Sequence, residues 1–147
     1  MHIAMLSGEY PPRWGGMGST VFHLSGALVK LGHRVTVITR HESEASRNPS
    51  VIPHQQGVSV RMVKWAKLPM AFTRSYGKHA LRDLLQLHIG DPVDAVHLHC
   101  PMISWDAAQF AKVKEQIPTI VSSLPASSPG ERAGRVAAGR AVGSAPW

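Results

Sequence analysis

Apolar and polar positions along the chain fall into two rhythms, one of period two and one of period three to four. Residues 2–7, HIAMLS, form a short apolar run that predicts a buried strand. Residues 19–31 place Val21, Leu24, Ala27, Leu28 and Leu31 at the i, i+3, i+4 spacing of an amphipathic helix. Ser19 or Thr20 is its expected cap, and Gly32 stands where a left-handed residue closes a helix. Residues 33–40, HRVTVITR, are β-branched and flanked by polar residues, which predicts a second strand. After a polar loop at 41–56, residues 57–65 alternate Val58, Val60 and Met62 with polar neighbours, the mark of a third strand.

Residues 75–90 carry Ala80, Leu81, Leu84, Leu85 and Leu87 on one side and predict a second helix. Residues 94–100, DAVHLHC, predict a fourth strand, 104–116 a third helix capped by Ser104, and 118–124 a fifth strand. The order β-α-β-β-α-β-α-β is that of a mostly parallel, right-handed α/β sheet built from crossover units. Such sheets bind ligands at the carboxyl ends of their strands, here residues 8–18, 40–42, 99–104 and 124 onward. Residues 125–147, rich in Ala, Gly, Pro and Arg, show no periodic apolar face and are expected to be disordered or weakly helical.

Composition narrows the picture. A chain of 147 residues, 44% hydrophobic and 17% charged, is one globular domain's worth. Its net charge of +7 favours anionic partners such as nucleotides and sugar phosphates. No nucleic-acid-binding motif accompanies that charge, so nucleic acid is not an expected partner. The single cysteine, Cys100, excludes an internal disulfide and suits a reducing compartment. Neither a secretory signal nor an apolar run of membrane-spanning length is present, and the expected location is the cytoplasm.

The connection at residues 8–20 is longer than a strand-to-helix turn needs. As a dinucleotide fingerprint it is poor, because Val21 stands where a third glycine belongs and the second strand ends in Arg40 rather than an acid. A P-loop is excluded, since no G-x-x-x-x-G-K-[ST] exists. Gly15, Gly16 and Gly18 instead leave amides bare of Cβ atoms beside a helix N-terminus, where a phosphate or sugar hydroxyl docks. Arg13 adds a cationic fork. The plainer alternative is a turn that only allows tight helix–sheet packing.

GEYPPRWGGMGSTVFHLSGALVKLGHRVTVITR, followed by DPVDAVHLHCP at 91–101 and VSSLP at 121–125, resembles the opening of retaining glycosyltransferases of the family-4 type, more distantly glycogen and starch synthases. The resemblance spans residues 1–124. It implies a Rossmann-like, mostly parallel five-stranded sheet with flanking helices, the N-terminal acceptor-side half of a GT-B fold. The implied activity is transfer of a hexose from a nucleotide-diphospho-sugar to an acceptor hydroxyl, with no metal or other cofactor. The binding residues it points to are Arg13, Gly15, Gly16, Met17 and Gly18, with His99 at the cleft rim.

Two features depart from the family pattern. Pro125 stands near the place of a histidine that lies by the reacting sugar, and residues 125–147 do not continue into a donor-binding domain. The chain is therefore expected to be a truncated or frame-shifted piece of a longer enzyme, inactive alone. A non-catalytic nucleotide- or NAD(P)-binding module is the alternative, with Arg40 as a 2′-phosphate contact. His97, His99 and Cys100 lack further zinc ligands at a recognised spacing, and His97 is expected to be a buried polar residue beneath the helix layer. Glu9 and Asp106 are carboxylates near the expected cleft to which no catalytic role is assigned. The basic stretch 61–82, interleaved with Trp65, Leu68, Met70 and Phe72, offers either a solvated face or peripheral contact with an anionic membrane.

Overall fold

A computed structural model describes residues 1–12, 15–42, 52–53, 55–68, 71–99, 105–117 and 119–123. Arg13, Cys100, Ser104, Pro125 and the 125–147 tail lie outside the described residues. The elements run β1 (His2–Ser7), α1 (Gly16–Lys30), β2 (Arg34–Arg40), β3 (Val58–Val63), α2 (Phe72–Gly90), β4 (Ala95–His99), α3 (Ala107–Gln116) and β5 (Thr119–Ser123). All five strands are parallel in the order β3-β2-β1-β4-β5, the doubly wound arrangement expected of an α/β sheet.

The two faces of the sheet follow from strand alternation. On one face Met5, Val35 and Val37 pack against Val21 of α1, with Ile52 from the β2–β3 connection over them. On the other, Ala4, Leu6, Ile38, Val96 and Leu98 pack beneath Tyr76, Ala80 and Leu84 of α2 and Val113 of α3. The order in which successive strands are added reverses between β1 and β4, so the crossovers on either side leave for opposite faces.

At the amino edge His2 ties three strands together. Its backbone N–H donates to Asp94 Oδ2 at 2.6 Å, and its ring nitrogens lie 3.1 Å from Pro92 O and 2.8 Å from Thr36 Oγ1. Nearby, Arg34 grips Asp91 through two bonds of 3.1 and 2.7 Å. These contacts fix β1, β2 and β4 at the end remote from the expected site.

Three helix starts differ from the sequence reading. α1 begins at Gly16 with Gly15 as cap, so neither Ser19 nor Thr20 caps it; Thr20 Oγ1 donates instead to Gly16 O at 2.9 Å. Packing of Val21 and its neighbours carries the helix back through glycines that local propensity alone would exclude. α2 begins at Phe72, three residues early, with Ser75 Oγ accepting from Ala66 N–H. α3 begins at Ala107, and its cap is Asp106, which forms a capping box with Gln109.

The basic stretch 61–82 does not form one continuous face. Arg61 on β3 pairs bidentately with Asp83 on α2, and Trp65 turns inward to donate its indole N–H to His41 O at 2.8 Å. Among the described residues no helix is long and apolar enough to cross a membrane.

Two glycines with positive φ close turns in this framework, Gly32 at +86° and Gly57 at +82°. A Cβ on Gly32 would meet open space, whereas one on Gly57 would lie 2.6 Å from Val29 Cγ1. Gly32→Ala should therefore cost only the left-handed backbone penalty, about 1–2 kcal/mol. Gly57→Ala should cost that plus the repacking of a branched side chain, roughly 1–3 kcal/mol more. Urea denaturation of the two variants checks the order.

Candidate functional site at the carboxyl edge of the sheet

The pairing of β1 with β4 sets Ser7 beside His99 at the carboxyl edge. The chain leaving β1 is held there by short-range bonds. Ser7 Oγ donates to Glu9 O at 2.7 Å and accepts from Glu9 N–H at 3.2 Å. From the end of β2, Arg40 reaches across and donates its Nε–H to Gly8 O, while its guanidinium stacks 4.8 Å from the centre of the Trp65 ring. Tyr76 donates from α2 to Ile38 O at 2.7 Å, and burial raises its phenol pKa.

Arg40 is thus a buried anchor for the residues that follow β1. Its guanidinium is engaged by the protein's own carbonyl and indole, which removes the support it lent to a 2′-phosphate site. The sequence marked Arg40 only as a strand-end cation; the Trp65 ring that stacks on it is 25 positions away and gave no local signal.

The start of α1 is built differently from that of α3. Its cap, Gly15, is extended (φ −127°, ψ 177°) and contributes no side-chain cap, and the first turn contains no acid. The helix bond from Ser19 N–H to Gly15 O leaves the amides of Gly16, Met17 and Gly18 as first-turn donors without an intrahelical acceptor. A Cβ on Gly15 would lie 2.5 Å from Glu9 Oε2, the far end of a side chain that can turn aside. Among the described residues nothing stands within 4 Å of where a Cβ on Gly16 would be. The expected loop residues Gly15, Gly16, Met17 and Gly18 are therefore brought together in one helical turn, and Arg13 lies outside the described residues.

His97 and His99 share a face of β4, with ring centres 3.9 Å apart. Their depths are the reverse of the sequence expectation. His99, expected at the rim, is 1% exposed, flanked in register by Ser7 and Ser123. His97, expected to be buried, is half-buried, and its register partner on β5, Val121, is 49% exposed. Strand alternation fixed their face but not how much of it is covered. Burial, with the neighbouring His97 adding to it, pushes the His99 pKa down to about 4, and burial also lowers that of His97. Among the described residues His97 Nε2 is buried without a hydrogen-bond partner. Among the described residues no three His, Cys, Asp or Glu side chains gather as metal ligands. Asp106 is committed to capping α3, its Oδ1 accepting from Gln109 N–H at 2.8 Å.

Comparison with known proteins agrees with this architecture. Residues 15–146 match the glycosyl transferase 4-like domain, and the chain belongs to that family. It is 34% identical over 153 aligned residues to the glycogen synthase of Mycobacterium tuberculosis, an alignment covering 92% of this chain and 36% of that protein. The chain thus spans about a third of the length of the curated relatives it matches. Among solved structures, sucrose-phosphate synthase from Thermosynechococcus elongatus superposes with a TM-score of 0.60 at 18% identity, covering 92% of this chain and 35% of that one. A UGT transferase from Siraitia grosvenorii, solved with UDP, gives 0.53 at 12% identity, covering 84% and 27%. The fold is the Rossmann-like half of a GT-B architecture, as the sequence led one to expect.

The buried imidazole makes a pH prediction. Folding holds His99 neutral, so its contribution is complete above the ordinary histidine value of 6.5 and is lost as pH falls through about 4. Urea midpoints measured from pH 7 to pH 4 should fall, and His99→Asn should flatten that fall.

Proposed function

We propose that this chain forms the acceptor-side half of a retaining, cytoplasmic glycosyltransferase that moves a hexose from a nucleotide-diphospho-sugar to an acceptor hydroxyl. In this reading the first turn of α1 holds the donor's diphosphate. Breaking the bond from the anomeric carbon to the diphosphate oxygen leaves negative charge on that oxygen. The bare amides of Gly16, Met17 and Gly18 and the positive end of α1 face that charge as it develops. The acceptor oxygen forms the new bond on the same face of the sugar, so configuration is retained, and its proton passes to the departing diphosphate oxygen. Arg13 and His99 complete the proposed binding set, Arg13 as a cation for the phosphates and His99 as the floor between Ser7 and β5. Binding of the nucleotide and the donor sugar falls to a second domain, and transfer requires both. No metal or other cofactor enters this scheme, and membrane contact through 61–82 is no part of it.

The observation that carries the reading is Gly16. Glycine gives up as much as about 1 kcal/mol relative to alanine in a helix interior, and less at the first helical position that Gly16 holds. Among the described residues neither a positive φ nor a close neighbour at position 16 demands that cost. Close approach of a ligand to the amides does.

Gly16→Val tests this directly, because space for the side chain is open. Its thermal stability should stay within about 1 kcal/mol of the parent. Its affinity for pyrophosphate, measured by calorimetry, should fall about tenfold or more through blocked amide contacts. Unchanged affinity removes the diphosphate from α1. In the same assay NADP should give no stabilisation beyond that of pyrophosphate, since Arg40 is engaged within the fold.

A further inference from the structure

A groove runs along the outer surface between α2 and α3, on the face of the sheet away from α1, and encloses about 570 Å³. Its floor is apolar: Leu81, Leu85 and Ile89 succeed one another along one face of α2. Leu81 is buried, Leu85 is half-buried against the core, and Ile89 is 81% exposed. The rim is cationic, with Lys78 and Arg82 on α2 and Lys112 on α3. The other lining side chains are glutamines, and no acid is among them.

The gap follows from the sequence of α3. That helix buries Val113 alone, and the flank it turns to α2 carries Gln109, Lys112 and Gln116, none of which fills apolar space. Two helices packed only for stability would put apolar side chains on that flank. The rim is also unpaired: Lys78, Arg82 and Lys112 are exposed, and among the described residues none of them enters an ion pair. Lys78 and Arg82 stand one turn apart on α2, where like charges repel. Arg34 and Arg61, by contrast, each grip an aspartate. An exposed apolar strip rimmed by polar groups is the mark of an interaction surface.

We infer that this groove docks an acidic, amphipathic helix of a partner protein, with the partner's apolar stripe on Leu81, Leu85 and Ile89 and its carboxylates against Lys78, Arg82 and Lys112. The inference stands apart from the diphosphate reading of α1. Length fits it, because the groove runs about 17 Å from Lys78 to Ile89, three helical turns, the reach of anchors at i, i+4 and i+7. Charge selects the occupant. This chain holds 16 Lys and Arg against 9 Asp and Glu, and its residues 124–147 carry three arginines and one glutamate. Of its own helices, α1 has no acid, α2 has only Asp83, already taken by Arg61, and α3 has only Glu115. Neither a second copy nor the 124–147 segment therefore supplies an acidic stripe. A bilayer meets a convex amphipathic face, not a trough between two helices.

The test uses a synthetic helix of about 14 residues, with leucine at i, i+4 and i+7 and glutamates flanking that stripe. Two control peptides replace the glutamates by glutamine or by lysine. Binding to the 15N-labelled full chain is followed by amide shifts. The glutamate peptide should bind at least about tenfold more tightly than the glutamine one, with shifts centred on residues 78–89 and 109–116, and the lysine one should not bind. Ile89→Ser and, separately, Arg82→Gln/Lys112→Gln, all at exposed positions, should each weaken binding about fivefold or more while pyrophosphate binding stays within about twofold. No binding of the glutamate peptide, equal binding of all three, or shifts centred elsewhere overturns the inference. Shifts at 78–89 that grow with the chain's own concentration would give the groove to a second copy, and shifts seen only with phosphatidylglycerol vesicles would give it to a membrane; either result also overturns it. Pyrophosphate reports on α1 independently, so failure of the peptide leaves that reading standing.

Discussion

The parallel pairing of β1 with β4 is the constraint on which the candidate site depends. It places Ser7 beside His99 at the sheet's carboxyl edge, and it sends the flanking crossovers to opposite faces. The edge between them is left without a covering helix by the topology itself. The start of α1 opens onto it. The register is held at the far end by His2 and Asp94, a full strand length from the site, while Arg40 and Ser7 hold the chain leaving β1 at the site itself.

Around that edge the protein uses two kinds of helix start. α3 is closed by its own residues, with Asp106 and Gln109 satisfying each other's amides. α1 is left open, with a glycine cap and no acid in its first turn. A glycine cap forgoes only about a few tenths of a kcal/mol against serine or aspartate, and a glycine within the helix up to about 1 kcal/mol against alanine. Burial of Val21, packed between the sheet and its helical neighbours, returns roughly 1.5–3 kcal/mol and keeps the helix formed. The balance allows first-turn amides without helical acceptors to persist from exposed Gly16 to buried Gly18, where folding alone would favour a capped, alanine-like turn.

Much of the fold was legible because its signals are local. The apolar run at 2–7 and the β-branched 33–40 segment gave their strands to within a residue, and Gly32 gave the end of α1. The start of α1 was misplaced because Gly16 and Gly18 are poor helix formers, and only packing on β1 and β2 extends the helix through them. The cap of α3 was assigned to Ser104 because serine before an apolar run is the commoner signal, while the Asp106–Gln109 pair fits the same rule two residues later. Depth was not legible. Alternation put His97 and His99 on one face, but coverage of that face depends on neighbours distant in sequence. The stacking of Arg40 on Trp65 and the meeting of Lys78 and Arg82 with Lys112 along one groove are likewise products of topology, invisible to a window of adjacent residues.

The central claim is that an anion docks on the open first turn of α1, at the edge shared by β1 and β4. The most direct measurement is a solution structure of the chain with pyrophosphate, from intermolecular contacts or amide-shift mapping. The account predicts that the largest perturbations fall on the amides of Gly16, Met17 and Gly18, with smaller ones at Ser7 and His99. A map centred on any other surface, with those three amides unmoved at saturation, would contradict it.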